Sequence, residues 1–177
     1  MQIPISERLL ASYSYPLEGE NLPALTLPDL LRCAPYVWLQ FLRHLGCIYC
    51  KGLVQDLRAF IEQWNERIRP RLIFVHPNTL EEGRKFFAVF YSGAAFIADP
   101  NLRLYRLFGV RRASLLAQVR PSNLLRFWNL LRRGLSNQQS TADPTLLHAA
   151  FLFQNGTLVW SYHAKYLSDV PDWKRLL

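Results

Sequence analysis

The order of two hydrophobic periods constrains this chain more than any other feature. Residues 36–42, YVWLQFL, are almost continuously apolar, as in a strand buried on both faces. From Cys50 the period changes. Leu53, Val54, Leu57, Phe60, Ile61 and Trp64 form one helical stripe, with Asp56, Arg58, Glu62, Gln63 and Glu66 mostly off it, which predicts a helix over about 48–66. Arg71–His76 reads as a second buried strand, stopped by Pro77. Thr79 with Glu82 is a capping box, so a second helix is expected from Leu80 to Tyr91, closed by Gly93. Residues 94–98, AAFIA, give a third strand, ended by Asp99, Pro100 and Asn101. Strand–helix–strand–helix–strand implies parallel pairing under a cover of helices. Residues 149–154 and 157–163, joined by Asn155-Gly156, then form a hairpin, because Asn-Gly supplies the positive φ angles of a two-residue turn. The expected class is α/β with a mixed central sheet.

The flanks are less regular. Residues 1–32, broken by Pro4, Pro16, Pro23 and Pro28, read as an extended arm, with an edge strand and turn possible within LPALTLPDLL. Residues 33–177 form the domain, with an Arg-rich helical insertion at about 102–135. There, Ser114 is a cap for one short helix ended by Pro121, and Ser122 for another. Residues 136–144 form a polar loop, and Ser168 or Asp169, with Pro171, starts a short final helix. The 177 residues suit one domain, and the 50% hydrophobic content excludes disorder for most of the chain. No apolar run approaches ~18 residues, so no transmembrane segment is expected. The first residues lack a basic start followed by an apolar core, which points to a cytoplasmic protein. The net charge is +8. It is concentrated in residues 100–135, where Arg103, Arg106, Arg111, Arg112, Arg120, Arg126, Arg132 and Arg133 stand without one acid. A solvated helix face explains such a run. So would an acidic partner, a homodimer contact or an anionic membrane surface, with Arg126, Arg132 and Arg133 beside Phe127 and Trp128. No nucleic-acid motif is present, and no nucleic acid is expected.

Cys47-Ile48-Tyr49-Cys50 is the strongest chemical signal. It follows a buried strand and opens an amphipathic helix, the order of a thioredoxin-like redox motif. A helix N-terminus presents unpaired N–H groups and the positive end of the dipole, which stabilise a thiolate. Cys47, at or just before the first turn, is the expected nucleophile. Cys50, three residues on, is the resolving thiol. His44 and Arg43 would add positive charge, and Gly46 adjoins the pair. Two cysteines packing a strand–helix junction without chemistry is the plain alternative. A zinc site needs further ligands, and only Cys33 and four histidines remain, with no second CxxC or HxxxH. Cys33 is expected to be a buried or partly buried free thiol. His76 and His163 read as strand-end residues.

Several segments resemble one family. FLRHLGCIYC (41–50) looks like the active-site segment of peroxiredoxin-like proteins of the alkyl hydroperoxide reductase C/thiol-specific antioxidant type. It is similar in particular to a selenoprotein L-related branch with the pattern FLRH-x-GC-x-[FY]-C. LIFVHPNTLEEGRKFF (72–87), IADPNLRLYRLFGVRRASL (97–115) and FLFQNGTLVWSYHAKYLSDVPDW (151–173) resemble further segments of that family in the same order. The resemblance covers about residues 36–175. It implies a thioredoxin-like fold and an oxidoreductase, either a thiol–disulfide oxidoreductase or an antioxidant peroxidase. Its substrate would be a peroxide or a protein disulfide and its reductant an external dithiol, with no cofactor and no metal.

One departure stands out. Thioredoxin folds usually place a cis-proline before the strand that faces the CxxC motif, and here that place reads Leu147-His148-Ala149. A non-proline cis bond costs about 2.5–4 kcal/mol, so a trans backbone is expected. His148 would then face Cys47 and Cys50, either as a base or cation tuning the thiolate or as a tolerated loop residue. The same departure motivates a second reading, a redox-inert interaction module with a drifted groove. Ile48 also stands where proline is common.

Overall fold

Alternate residues along each strand separate into two cores, which is why the strands read as unbroken apolar runs. In the computed structural model, which describes residues 13, 15–66, 68–114 and 120–173, strand β1 is Gly19–Glu20, β2 Tyr36–Phe41, β3 Arg71–His76, β4 Ala95–Ala98, β5 Ala149–Gln154 and β6 Thr157–His163. They form one mixed sheet in the order β1-β4-β3-β2-β5-β6. β2 pairs in parallel with β3 and β3 with β4, while β1–β4, β2–β5 and β5–β6 are antiparallel.

Val37, Leu39 and Phe41 of β2 join Ile73, Val75, Phe151 and Phe153 on one face of the sheet. Trp38 joins Phe74, Phe96 and Leu152 on the other. Helices α2 (Ile48–Ile61) and α3 (Leu80–Phe90) cover this second face, through Leu53, Val54, Leu57, Phe60, Phe86 and Phe87. Each such side chain stabilises the fold by about 1.5–3 kcal/mol through burial. The first face is closed by helix α1 (Leu27–Leu30), helix α4 (Arg103–Leu107) and Leu17. Helix α5 (Pro121–Arg132) packs on α2 through Leu130, which meets Ile48. The one polar side chain in mid-β2, Gln40, is satisfied by donating to the carbonyls of Phe41 and Ala149 at 3.1 and 3.0 Å.

The local signals operate as expected at two places. Thr79 and Glu82 form the reciprocal capping box of α3. Asn155 and Gly156 take φ values of 50° and 84° in the β5–β6 turn. Elsewhere the structure differs from the sequence reading. Helix α2 stops at Ile61, with Glu62 as C-cap, rather than at 66. The edge strand lies at Gly19–Glu20, and part of LPALTLPDLL forms α1. Thr26 accepts from the Asp29 N–H at 3.3 Å, with Pro28 in the first turn. Helix α5 starts at Pro121, with Arg120 as N-cap, so Pro121 begins a helix and Ser122 lies inside it. The short helix expected after Ser114 falls on residues 115–119, outside the described residues; residues 169–172, expected to open a C-terminal helix, are not helical, and 174–177 lie outside the described residues. Among the described residues no helix is long and apolar enough to cross a membrane.

Candidate redox site

After β2 the chain runs through Arg43, His44, Leu45 and Gly46 to Cys47, which caps α2 in an extended conformation. Its carbonyl accepts the Lys51 N–H at 3.1 Å. Cys47 is 3% and Cys50 1% exposed, and both are unbridged thiols. The residue the sequence reading mentioned only in passing, Arg43, holds the centre. It is buried, and its guanidinium donates to the Cys47 Sγ at 2.9 Å. The same guanidinium donates to the carbonyls of Leu146 at 2.7 Å and Pro144 at 2.6 Å. Those carbonyls aim the guanidinium at the sulfur. The Arg43 backbone N–H points at the Cys50 Sγ at 3.3 Å.

The two thiols are driven apart in acidity. Burial pushes the Cys47 thiol up, but a hydrogen bond from Cys50, the Arg43 charge and the N–H groups of Cys50 and Tyr49 outweigh it and bring the group down to about 6. Burial, the bond to Cys47 and the Cys47 charge push the Cys50 thiol up. At neutral pH the pair is therefore a Cys47 thiolate accepting from a Cys50 thiol. This polarity is what nucleophilic attack by the first cysteine and resolution by the second require.

A polar strap ties down the turn and the helix start that carry the pair. The Ile48 N–H donates to Asn137 Oδ1 at 2.9 Å, and the Gln138 N–H to the Gly46 carbonyl at 2.9 Å. Lys51, buried and over the Phe90 ring, donates to the Ser136 carbonyl at 2.7 Å. Asn78 ties Ser140 Oγ at 3.1 Å and receives the Leu45 N–H at 3.0 Å. Gly46 is needed at this closure, since a Cβ there would lie 2.3 Å from the Gln138 carbonyl oxygen.

The histidines divide differently. His44 is held neutral, its imidazole pushed down to about 4 by burial and by Arg43, so it adds no charge to the thiolate. His148 is buried in a trans backbone and hydrogen-bonds through Nε2 to the Asp169 carbonyl, with its ring on Tyr162. Burial pushes it down to about 4 as well. Its partners are thus Asp169 and Tyr162, while the cysteine sulfur is met by Arg43. Cys33, expected to be at least partly buried, is exposed in the turn after α1. Among the described residues no group of three or more His, Cys, Asp or Glu converges as a metal site. Arg43 and Lys51, the basic residues four places before Cys47 and four after it, were the sequence signal for the cations of this site.

The family profile described as AhpC/TSA antioxidant enzyme matches residues 56–165, which begins just after the two cysteines. None of the curated proteins matches the sequence. Among solved structures the chain is similar to peroxiredoxin Q of Xanthomonas campestris, with TM-score 0.59 and 14% identity over 86% of this chain and 81% of that one. It is also similar to a cysteine-to-serine mutant of the Xylella fastidiosa PrxQ, with TM-score 0.55 and 15% identity over 92% and 82%. A third similarity is to the Xanthomonas campestris bacterioferritin comigratory protein, studied for alkyl peroxide reduction, with TM-score 0.51 and 14% identity over 86% and 82%. At these identities the likeness speaks to the thioredoxin-like, peroxiredoxin-type fold.

Proposed function

The chain belongs to the AhpC/TSA antioxidant enzyme family, and on that premise we propose that it is a peroxiredoxin-like oxidoreductase working through Cys47 and Cys50. The carrying observation is the 2.9 Å contact from Arg43 to Cys47, together with the opposed acidities of the two thiols. The Cys47 thiolate attacks the terminal oxygen of a hydroperoxide. The O–O bond breaks, the sulfur becomes a sulfenic acid, and the departing alkoxide takes a proton to leave as an alcohol. Cys50 then attacks that sulfur, expelling the hydroxyl as water and closing a Cys47–Cys50 disulfide. An external dithiol reduces this by exchange and leaves as its own disulfide. A protein disulfide in place of the peroxide would be attacked by the same thiolate, through a mixed disulfide.

FLRHLGCIYC (41–50) supports placing the chain in the selenoprotein L-related branch of the family. The cytoplasm, where dithiol reductants are maintained, suits this chemistry. Residues 1–32 would form an arm that comes before the domain in sequence and joins it through Leu17, β1 and α1, and about 102–135 would form its Arg-rich insertion. A homodimer or acidic partner engaged through Arg126, Arg132 and Arg133 would have to compete with Asp56, which already pairs with Arg126 at 3.1 Å and Arg133 at 2.7 Å.

A redox-inert interaction module is the second reading, favoured by the burial of both cysteines. Consumption of hydrogen peroxide and of cumene hydroperoxide, with excess dithiothreitol as reductant, separates the two. Turnover by the wild type that is lost in Cys47→Ser supports the enzyme. No turnover supports the inert module, and turnover unchanged in Cys47→Ser overturns the role given to Cys47.

A further inference from the structure

The arginine-rich stretch divides by what each guanidinium touches. Arg103 lies over the Tyr15 ring at 4.0 Å and Arg120 over Tyr166 at 4.6 Å. Arg112 pairs with Asp143 at 2.9 Å, and Arg126 and Arg133 with Asp56. The side chains of Arg106, Arg111 and Arg132 have no hydrogen bond or ion pair among the described residues. Two of these three line one cavity.

That cavity holds about 280 Å³ and is walled by Arg106, Arg111 and Arg112, with Leu102, Tyr105 and Leu146 behind them. Its shape comes from a sharp turn. Gly109 takes a φ of +61°, the Gly109 N–H donates to the Arg106 carbonyl at 3.2 Å, and the Val110 N–H donates to the Tyr105 carbonyl at 2.9 Å. The turn returns Arg111 alongside Arg106, and the Arg112–Leu146 β-bridge fixes its far side. The two nearby acids are already engaged. Asp99 accepts from the N–H groups of Arg103, Leu104 and Tyr105 at 2.9, 2.8 and 3.2 Å. Asp143 is held by Arg112 and Thr145. The fold therefore gathers three arginines around a concavity: Arg112 is paired with Asp143, Arg106 has near it only the charge of Asp99, which is shared among three backbone N–H groups, and Arg111 has no ion pair among the described residues, an arrangement whose mutual repulsion a multivalent anion would relieve.

We infer that the cavity between Arg106, Arg111 and Arg112 is a binding site for a phosphate-type oxyanion, the phosphomonoester or diphosphate end of a small molecule. Guanidiniums match phosphate oxygens in bidentate geometry. The volume falls just below the usual range for whole organic ligands, about 300–1,000 Å³, so the charged end sits inside and the remainder projects into solvent. This assignment of the cavity does not rest on the thiol chemistry, although Leu146 both lines the cavity and gives its carbonyl to Arg43.

The test is isothermal titration of the full chain with pyrophosphate at constant ionic strength. Citrate serves as the carboxylate arm, and ¹H–¹⁵N spectra locate the perturbed amides. Saturable one-to-one binding is expected, with shifts centred on Gly109 and Val110. The exposed pair Arg106→Gln/Arg111→Gln should weaken it about tenfold or more, while Arg132→Gln leaves it unchanged. Absence of saturable binding by the wild type overturns the site. So does equal weakening by Arg132→Gln, which would mean diffuse charge, or citrate binding as tightly as pyrophosphate. Should the double variant fail to fold, shifts centred away from Gly109 and Val110 would overturn it instead.

Discussion

The guanidinium of Arg43 meets the sulfur of Cys47 at 2.9 Å while two carbonyls, from Leu146 and Pro144, hold its other nitrogens. The charge beside the thiolate is thus fixed in place from a loop about a hundred residues away. Arg43→Gln keeps a polar group but removes the charge and the fork. The Cys47 group, now at about 6, should move up toward the ordinary thiol range near ~8.5. Iodoacetamide alkylation of Cys47, followed by mass spectrometry against pH, should slow about tenfold at pH 7, with its midpoint displaced upward. Arg43→Lys should recover only part of this, because a point charge cannot keep both carbonyls and the sulfur. An unchanged midpoint in Arg43→Gln would remove Arg43 from the account.

Gly46→Ala forces a choice between the new Cβ and the Gln138 carbonyl oxygen, 2.3 Å apart. The strap over residues 136–140 must give way. Stability should fall by about 1–3 kcal/mol, the usual cost of overpacking, while Cys47 becomes more accessible to a bulky thiol reagent such as dithionitrobenzoate. A variant of lower stability with unaltered thiol accessibility would show that the strap does not limit access.

Acid should weaken the fold between two defined limits. His76 is fully buried, and burial pushes its imidazole down to about 4. His148 is pushed the same way, also to about 4. Below pH ~6.5 the unfolded chain takes up protons that these folded imidazoles refuse. Stability is therefore fully present above ~6.5 and falls as the pH drops toward ~4, by up to about 1.4 kcal/mol per unit for each histidine. Urea midpoints across this window should show it, and His76→Leu should flatten the slope by about one proton. Parallel slopes for wild type and variant would contradict the assignment.

Thr79→Ala removes the hydroxyl that accepts the Glu82 N–H and donates to the Glu82 carboxylate, so that of the capping box only the bond from the backbone N–H of position 79 to Glu82 remains. The expected loss is about 1 kcal/mol, roughly 2–4 °C in Tm for a chain of this length. The redox pair lies outside α3, so the alkylation rate of Cys47 should be unaffected. A change in that rate would mean that α3 steers the site through Asn78.

What the sequence disclosed was what neighbours in the chain decide. The nearly continuous apolar runs at 36–42 and 71–76 placed their strands, because burial on both faces leaves no polar alternation. Thr79 with Glu82, and Asn155 with Gly156, announced a cap and a turn within a few residues of themselves. Cys47 and Cys50 were legible as a pair because a helix brings i and i+3 to one side. The strap was not, since residues 136–144 read only as a polar loop and their partners, Gly46, Ile48 and Lys51, lie some ninety residues earlier. Arg43 was legible as a nearby charge but not as the sulfur's partner, because its aim depends on Pro144 and Leu146. His148 was expected opposite the cysteines from its place before β5. Its hydrogen bond to Asp169 depends on how the chain after β6 returns, which no local pattern records.

The central claim is that Cys47 and Cys50 form a working redox couple. Mass-spectrometric disulfide mapping after one equivalent of hydrogen peroxide, then after dithiothreitol, tests it most directly. The account predicts a Cys47–Cys50 bridge that forms and reopens while the exposed Cys33 stays a free thiol, and a trapped Cys47 sulfenic acid in Cys50→Ser. Oxidation that leaves both buried cysteines as thiols, or that falls on Cys33 alone, would contradict it.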